Sequence, residues 1–215
     1  MMYEKLKQAI DEKGERSAMS GIKSCPSTLF WTTVSSGGHS KFVLYEFPLG
    51  SKYRADFVVV WSCSGKWEIT FIECENTDDR IVNKNGTPSQ RFNQAISQLG
   101  DWRDYLSNNK LQVQQDLAKW CAEKDILGFS SGEYISNESG QLLSDMDTIV
   151  DFKFKIIMGR RENYSTEARK KVAQLESTSG FSFSTYDRLL SSALEHDKRS
   201  EDRNARVNLS APNCV

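Results

Sequence analysis

Two neighbouring runs rich in β-branched and aromatic residues constrain the fold of this chain more than any other feature. They span residues 53–61 and 67–75, and the polar segment 62–66 between them includes Ser-Gly-Lys. Such runs are typical of strands, and the short polar segment is typical of a hairpin turn. The sequence therefore predicts two antiparallel strands of one sheet.

Carboxylates stand at one end of this predicted hairpin. Side chains alternate between faces along a strand, so Glu73 and Glu75 continue the apolar face of the second strand, and Asp56 shares a face with Val58 and Val60. Buried carboxylates need a cation, a proton or hydrogen-bond donors. Oxygen-rich clusters suit Mg²⁺ or Mn²⁺, which take one or two carboxylates plus a substrate phosphate. The alternative is that both glutamates emerge into solvent where the strand ends.

A capped helix is predicted to follow the hairpin. Thr87 is the predicted N-cap, Pro88 the first helical residue and Gln90 the partner of a capping box. Gln94 and Gln98, four residues apart, form a polar row that could orient a metal-bound water or contact a phosphate. A solvated helix flank is the alternative for this pair. The core-facing stripe beside them consists of Phe92, Ile96, Leu99, Trp102 and Leu106.

Several motifs follow one another in order along the chain: Arg-Ala-Asp-Phe at 54–57, Phe-Ile-Glu-Cys-Glu-Asn at 71–76, Lys-Asn-Gly-Thr-Pro-Ser at 84–89, Ala-Ile-Ser-Gln-Leu-Gly-Asp-Trp-Arg at 95–103, and later segments at 154–161, 165–171 and 183–190. Together they resemble the nuclease domain of Shedu-type anti-phage defence proteins, a branch of the PD-(D/E)xK restriction-endonuclease-like superfamily. The resemblance implies an α/β fold with a restriction-endonuclease-like core, in which a mixed β-sheet is flanked by helices on both faces. It also implies a Mg²⁺-dependent (or Mn²⁺-dependent) endonuclease that hydrolyses DNA phosphodiester bonds in prokaryotic anti-phage defence.

The resemblance also implies roles for individual residues. Asp56 matches the first metal-binding acid, Glu73 the second, and Gln98 a motif position beside Asp-Trp. Glu75 stands where the superfamily usually has a lysine. Glu75 could therefore be an additional metal ligand or the base that activates water. Lys84 in the following loop could supply a displaced positive charge, although a solvated lysine is the plainer interpretation.

The charge balance gives little support for nucleic-acid binding, because the net charge is −1. Local basic positions must then contact DNA, and the candidates are Arg54, Lys84, Arg160 and Arg161. The last two directly follow a predicted strand and a glycine, where they could grip phosphate or pair with acids such as Glu162. The basic run at residues 169–171 is interpreted as a solvated helix face.

Composition excludes several other classes. The 215 residues, 38% hydrophobic and 27% charged, suit one globular domain without a membrane segment or signal-peptide core, so we expect a cytoplasmic protein. Five scattered cysteines without a CxxC pair predict reduced thiols rather than disulfides or zinc. Only two histidines are present, neither near a recognisable nucleophile.

The predicted organisation has three parts. Residues 1–34 form an amino-terminal helical segment of the same domain, in which Glu12 or Glu15 could approach the site, residues 35–197 form the nuclease-like domain, and residues 198–215 form a disordered tail. The expected partners are DNA, further copies of the chain in a homo-oligomer, and a possible regulatory protein. The alternatives are a nucleic-acid-binding module that has lost cleavage, and a scaffold or sensor subunit of a defence complex.

Overall fold

The protein is built on a mixed five-stranded sheet. The computed structural model describes residues 1–12, 14–34, 37–83, 85–128 and 135–210, with side chains to residue 201. In spatial order the strands are β1 (Lys41–Leu49), β2 (Tyr53–Cys63), β3 (Lys66–Cys74), β4 (Val150–Ile157) and β5 (Ser182–Ser184). Strand β2 pairs antiparallel with both β1 and β3, whereas β3, β4 and β5 run parallel.

Helices cover both faces of this sheet. They are α1 (Met2–Asp11), α2 (Glu15–Ser24), α3 (Pro26–Thr33), α4 (Gln90–Lys124), α5 (Thr166–Ser179) and α6 (Tyr186–Ser210). Residues of α4 and α5 join one hydrophobic cluster with the sheet, and residues of α1, α2, α3 and α6 join a second cluster on the opposite face. The α/β class and the two-sided helical cover are thus confirmed. The restriction-endonuclease-like character of the core stays a prediction.

The hairpin between β2 and β3 forms where the sequence predicts it. Ser64 and Gly65 both have positive φ, at 54° and 76°. Two successive residues with positive φ give the turn whose twist matches that of the flanking strands. The predicted antiparallel pairing is confirmed.

The start of α4 differs from the prediction. Ser89, not Thr87, is the N-cap, because its hydroxyl accepts the backbone N–H of Phe92 at 3.2 Å. Thr87 instead donates its backbone N–H and its hydroxyl to the side-chain oxygen of Asn85, at 3.2 and 2.7 Å. Because the Asn85 side chain binds the N–H and hydroxyl of Thr87, Thr87 cannot cap the helix. The helix therefore begins at Gln90, two residues later than predicted. The stripe from Phe92 to Leu106 faces the core as predicted, with Ile96 partly buried.

Other boundaries also differ in detail. The amino-terminal segment is three helices, with a break at Gly14, where φ is 120°. Helix α4 continues to Lys124 across Asn109, whose backbone is non-helical. Helix α6 takes in residues 198–210 of the segment for which a disordered tail is predicted, and residues 211–215 lie outside the described residues. Of the cysteines, Cys25, Cys63, Cys74 and Cys121 are free thiols.

Candidate active site

Three acids lie in one row across the sheet. The last paired residues of β2 and β3 are Phe57 and Ile72, so Asp56 and Glu73 are the next residues facing each other. Glu46 of β1 lies opposite Asp56, because pairing keeps the same register on both sides of it. Because β2 and β3 run in opposite directions, the start of β2 lies beside the end of β3, and the row lies at this end of the strands. This end of the sheet therefore concentrates carboxylates on neighbouring strands.

The sheet changes phase at this row. Val58 and Val60 belong to the cluster under α4 while Phe57 belongs to the opposite cluster, yet Ala55 is again under α4. A shift of one residue moves every following side chain to the other face. Glu46 absorbs part of the distortion with a positive φ of 53°, which is uncommon for a residue other than glycine. The change in alternation therefore falls at Asp56, between Phe57 and Ala55.

The carboxylate of Asp56 accepts a backbone hydrogen bond from β3. Its Oδ2 accepts the N–H of Cys74 at 2.7 Å. This bond fixes the half-buried side chain against the end of β3. Burial raises the pKa of Asp56 to about 7, the Cys74 N–H opposes this rise, and Glu15 and Glu46 add to it.

Glu73 is the most perturbed acid of the row. It is 9% exposed, and its Oε2 has no hydrogen-bond partner. Burial raises its pKa to about 9, the charges of Asp56, Glu75 and Glu15 raise it further, and the Gln98 side chain lowers it. A buried carboxylate with an unpartnered oxygen requires a proton or a cation.

Glu75 is held by its backbone at the end of the strand. Its N–H donates to Ile157 O of β4 at 2.8 Å, and its carbonyl oxygen accepts the buried Tyr186 hydroxyl at 2.7 Å. Burial raises the pKa of its carboxyl to about 7, and Glu15 contributes in the same direction. Arg91 opposes the rise. The backbone of Glu75 is thus fixed in position, and the pKa of its carboxyl lies near neutral pH.

Two residues beyond the predicted catalytic set act on these acids. Glu15, at the start of α2, is the amino-terminal acid whose charge reaches the row; Glu12 instead accepts hydrogen bonds from Gln8 and Ser17. Arg91, in the first turn of α4, was not singled out from the sequence. Its spacing of three and seven residues from the two glutamines puts it on their helix face, and this was the available signal.

The glutamines lie beside a cavity on the β1–β2 side of the acids. The cavity has a volume of about 370 Å³, and its lining includes Gln94, Gln98, Lys52 and Arg54. Gln98 is half-buried, whereas Gln94 is exposed. Arg54 lies 4.0 Å from the Glu46 carboxylate, and both side chains are largely exposed, so this contact is weak. Gln98 is the glutamine whose side-chain hydrogen bond lowers the pKa of Glu73.

The other residues predicted to contact DNA have different surroundings in the structure. Lys84 lies outside the described residues. Arg160 pairs with Asp11 of α1 at 3.0 Å and with Asp187 of α6 at 3.2 Å, so its guanidinium is committed to carboxylates. Arg161 is exposed and lines a separate cavity. The pairing interpretation thus describes Arg160, although its partners are not Glu162.

The turn that carries these arginines requires glycine. Gly159 has a φ of +66°, and a Cβ there would lie 2.6 Å from the carbonyl oxygen of Asp79. Its N–H donates to Asn76 O, and its carbonyl oxygen accepts the N–H of Tyr186, both at 3.1 Å. The turn therefore ties the loop after β3 to the start of α6.

The donor set suits a hard cation held by two carboxylates. Within the described ranges, no three His, Cys, Asp or Glu side chains are grouped so that they could hold a metal ion together. Mg²⁺ keeps several waters and needs only one or two carboxylates. The unpartnered Oε2 of Glu73 and the facing Asp56 meet that requirement.

Comparison with known proteins identifies the family. A family model for the C-terminal part of the Shedu protein SduA matches residues 15–190. The chain belongs to the Shedu SduA C-terminal family. Membership in the Shedu family implies a role in anti-phage defence, and the matched range includes Glu15, Asp56, Glu73, Glu75 and Gln98. A search of curated proteins finds no match. No helix of the described chain is long and apolar enough to cross a membrane.

Proposed function

We propose that this Shedu family member is a Mg²⁺-dependent or Mn²⁺-dependent deoxyribonuclease that hydrolyses phosphodiester bonds of DNA. The observation that carries the proposal is the unpartnered, buried Oε2 of Glu73 facing Asp56 at the end of the sheet. A buried glutamate with a purely structural role normally has hydrogen-bond donors or a lysine beside it. Glu68 of the same strand, for example, pairs with Lys66 and Lys153.

Asp56 and Glu73 would hold the ion. A bound divalent ion supplies Lewis acidity toward phosphate and lowers the pKa of water. The Asp56 carboxylate is oriented by the Cys74 N–H, and the Gln98 side chain acts on the Glu73 carboxyl. Both residues are therefore preorganised before substrate binds.

Glu75 is proposed as the base that accepts a proton from the attacking water. A base works best with a pKa near the working pH, and its pKa is about 7. The buried Lys155 does not replace the missing lysine. It lies beside Ile72, not Glu73, in the β3–β4 register, and its Nζ donates to Thr32 O of α3 at 3.0 Å. Arg91 is the cation that acts on Glu75.

Arg54 and Arg161 are proposed as phosphate contacts on opposite sides of the acids. Arg54 lies on β2 and Arg161 follows β4, so the acids at the end of β3 stand between them in the sheet order. Phosphate contacts position a nucleic acid without reading its sequence.

The test is incubation with supercoiled, linear and single-stranded DNA in Mg²⁺, Mn²⁺ or EDTA. Wild type should cleave only with metal, and Asp56→Asn and Glu73→Gln should each lose about 100-fold or more of the rate, as expected for loss of a metal ligand. Glu68→Gln is the matched control, because it removes a buried glutamate of the same strand outside the site. It should remain active.

Two outcomes favour other functions. A chain that binds DNA yet cleaves no form with either metal is a binding module, in keeping with glutamate in place of lysine at position 75. A chain that binds neither metal nor DNA is a scaffold or sensor subunit. Full activity of Asp56→Asn or Glu73→Gln would contradict the assigned site.

A further inference from the structure

A second cavity lies two strands away from the acids, beside the carboxyl ends of β4 and β5. Its volume is about 560 Å³, and three arginines, Arg161, Arg169 and Arg188, line it. They come from three separate elements: the turn after β4, helix α5 and helix α6. The tertiary fold alone brings these cations together, since up to 27 residues separate them along the chain.

The three arginines are not held in ion pairs by neighbouring acids. All are exposed, and within the described part of the chain none forms an ion pair with a carboxylate. Arg160, the neighbour of Arg161, shows the contrast because it contacts two aspartates. Glu176 is the acid among the lining residues, and its Oε1 accepts the Phe183 N–H at 2.6 Å. Its single negative charge leaves an excess of positive charge from the three arginines.

The wall of the cavity adds polar and aromatic groups. Ser184 is 4% exposed and lines the cavity, and its hydroxyl has no hydrogen-bond partner. Tyr164 lies on the same lining, with the Arg169 guanidinium 5.6 Å from its ring centre. A buried hydroxyl without a partner beside unpaired guanidinium groups is suited to an anion with several oxygen acceptors.

The position relative to the acids favours a polyanion over an isolated ion. Neighbouring strands are about 4.8 Å apart, so β5 lies roughly 10 Å from β3 across the sheet. Along the axis, one nucleic-acid strand carries a phosphate about every 3.4 Å, which is short compared with this distance. A nearby phosphate of the same strand can therefore reach the cavity while another lies at Glu73.

We propose that the cavity bounded by Arg161, Arg169 and Arg188 binds a backbone phosphate of the nucleic acid whose reacting phosphodiester lies at Asp56 and Glu73. The proposal deepens the proposed function and rests on it. It also changes the interpretation of Arg169, which the sequence assigns to a solvated helix face.

The experiment measures binding of fluorescein-labelled 20-nucleotide DNA, single-stranded and duplex, to the full chain in EDTA. Arg161→Gln, Arg169→Gln and Arg188→Gln are compared with Lys170→Gln and Lys171→Gln. The lysines are matched controls, because they follow Arg169 on α5, remove the same charge and do not line the cavity. Unfolding temperatures of all variants identify any that fail to fold.

Each arginine variant should weaken DNA binding by about 3-fold to 10-fold and reduce the slope of log affinity against log salt by about one. Each lysine variant should change affinity by less than about twofold. Equal effects of arginine and lysine variants would overturn the proposal, since general charge would then explain both. The proposal would also be overturned if inorganic phosphate raised the unfolding temperature of wild type but not of the arginine variants, while those variants bound DNA normally. The cavity would then be a site for a free anion.

Cleavage assays separate this proposal from the proposed function. If the arginine variants lose DNA binding but wild type never cleaves, the phosphate site stands and the nuclease assignment fails. If Asp56→Asn abolishes cleavage while the arginine variants bind DNA normally, the nuclease assignment stands and the phosphate site fails.

Discussion

Replacing Glu73 with glutamine should stabilise the metal-free protein at alkaline pH while removing its metal-dependent activity. The pKa of Glu73 is raised to about 9 from an ordinary value of 4.5, chiefly by burial and then by neighbouring carboxylates. The folded state therefore binds a proton that the unfolded state releases. Stability from this group is fully present below pH 4.5 and is lost as the pH rises toward 9.

The size of the effect follows from that shift. One pH unit between the two pKa values corresponds to about 1.4 kcal/mol, so the interval from pH 5 to pH 8 gives an upper bound of about 4 kcal/mol. Asp56 faces Glu73 and titrates together with it, so part of the energy belongs to the pair. We expect Glu73→Gln to gain roughly 2 kcal/mol over wild type at pH 8, and little at pH 5.

The assay is urea unfolding in EDTA at pH 5, 6, 7 and 8, followed by tryptophan fluorescence. Glu68→Gln is the control, since Glu68 lies on the same strand with the same 9% exposure. Burial acts to raise the pKa of Glu68, but hydrogen bonds from Lys153 and Lys66 outweigh burial and lower it. Its replacement should therefore destabilise the protein at pH 8. A Glu73→Gln variant that is no more stable than wild type at pH 8 would refute the argument.

Further predictions concern the base, the glutamines and the glycine turn. The metal-dependent cleavage rate should rise with pH through about 7 as Glu75 loses its proton. Glu75→Gln should remove this rise together with most activity. A Glu75→Lys variant that gains activity would exclude a role of Glu75 as metal ligand. Gln98→Ala should lower the cleavage rate more than Gln94→Ala at similar unfolding temperature, whereas equal small effects would leave both as surface residues. Gly159→Ala should destabilise by about 2 kcal/mol or more in urea unfolding, because strain from positive φ adds to a backbone clash. Gly140→Ala has a similar φ of +76° but open space around it, so its expected loss is only about 1 kcal/mol, and equal losses would argue against the clash.

The sequence by itself determined the elements whose signals are local. The hairpin follows from two β-rich runs and a short turn, and the buried stripe of α4 follows from helical spacing. The cap of α5 is equally local, since the Ser165 hydroxyl accepts the Ala168 N–H. The order of Asp56 and Glu73 also placed them on adjacent strands. Strand alternation and helical periodicity are properties of a few neighbouring residues, so they can be read without the fold.

The tertiary structure decided which side chains meet. Arg160 and Arg161 are adjacent in sequence, yet Arg160 pairs with acids from α1 and α6 while Arg161 lines a cavity with arginines from α5 and α6. The phase change at Asp56 depends on simultaneous pairing with β1 and β3, and Glu15 reaches the acids only because α2 packs there. Charge partners, burial and unpartnered oxygen atoms depend on contacts between distant segments, which no local sequence pattern encodes.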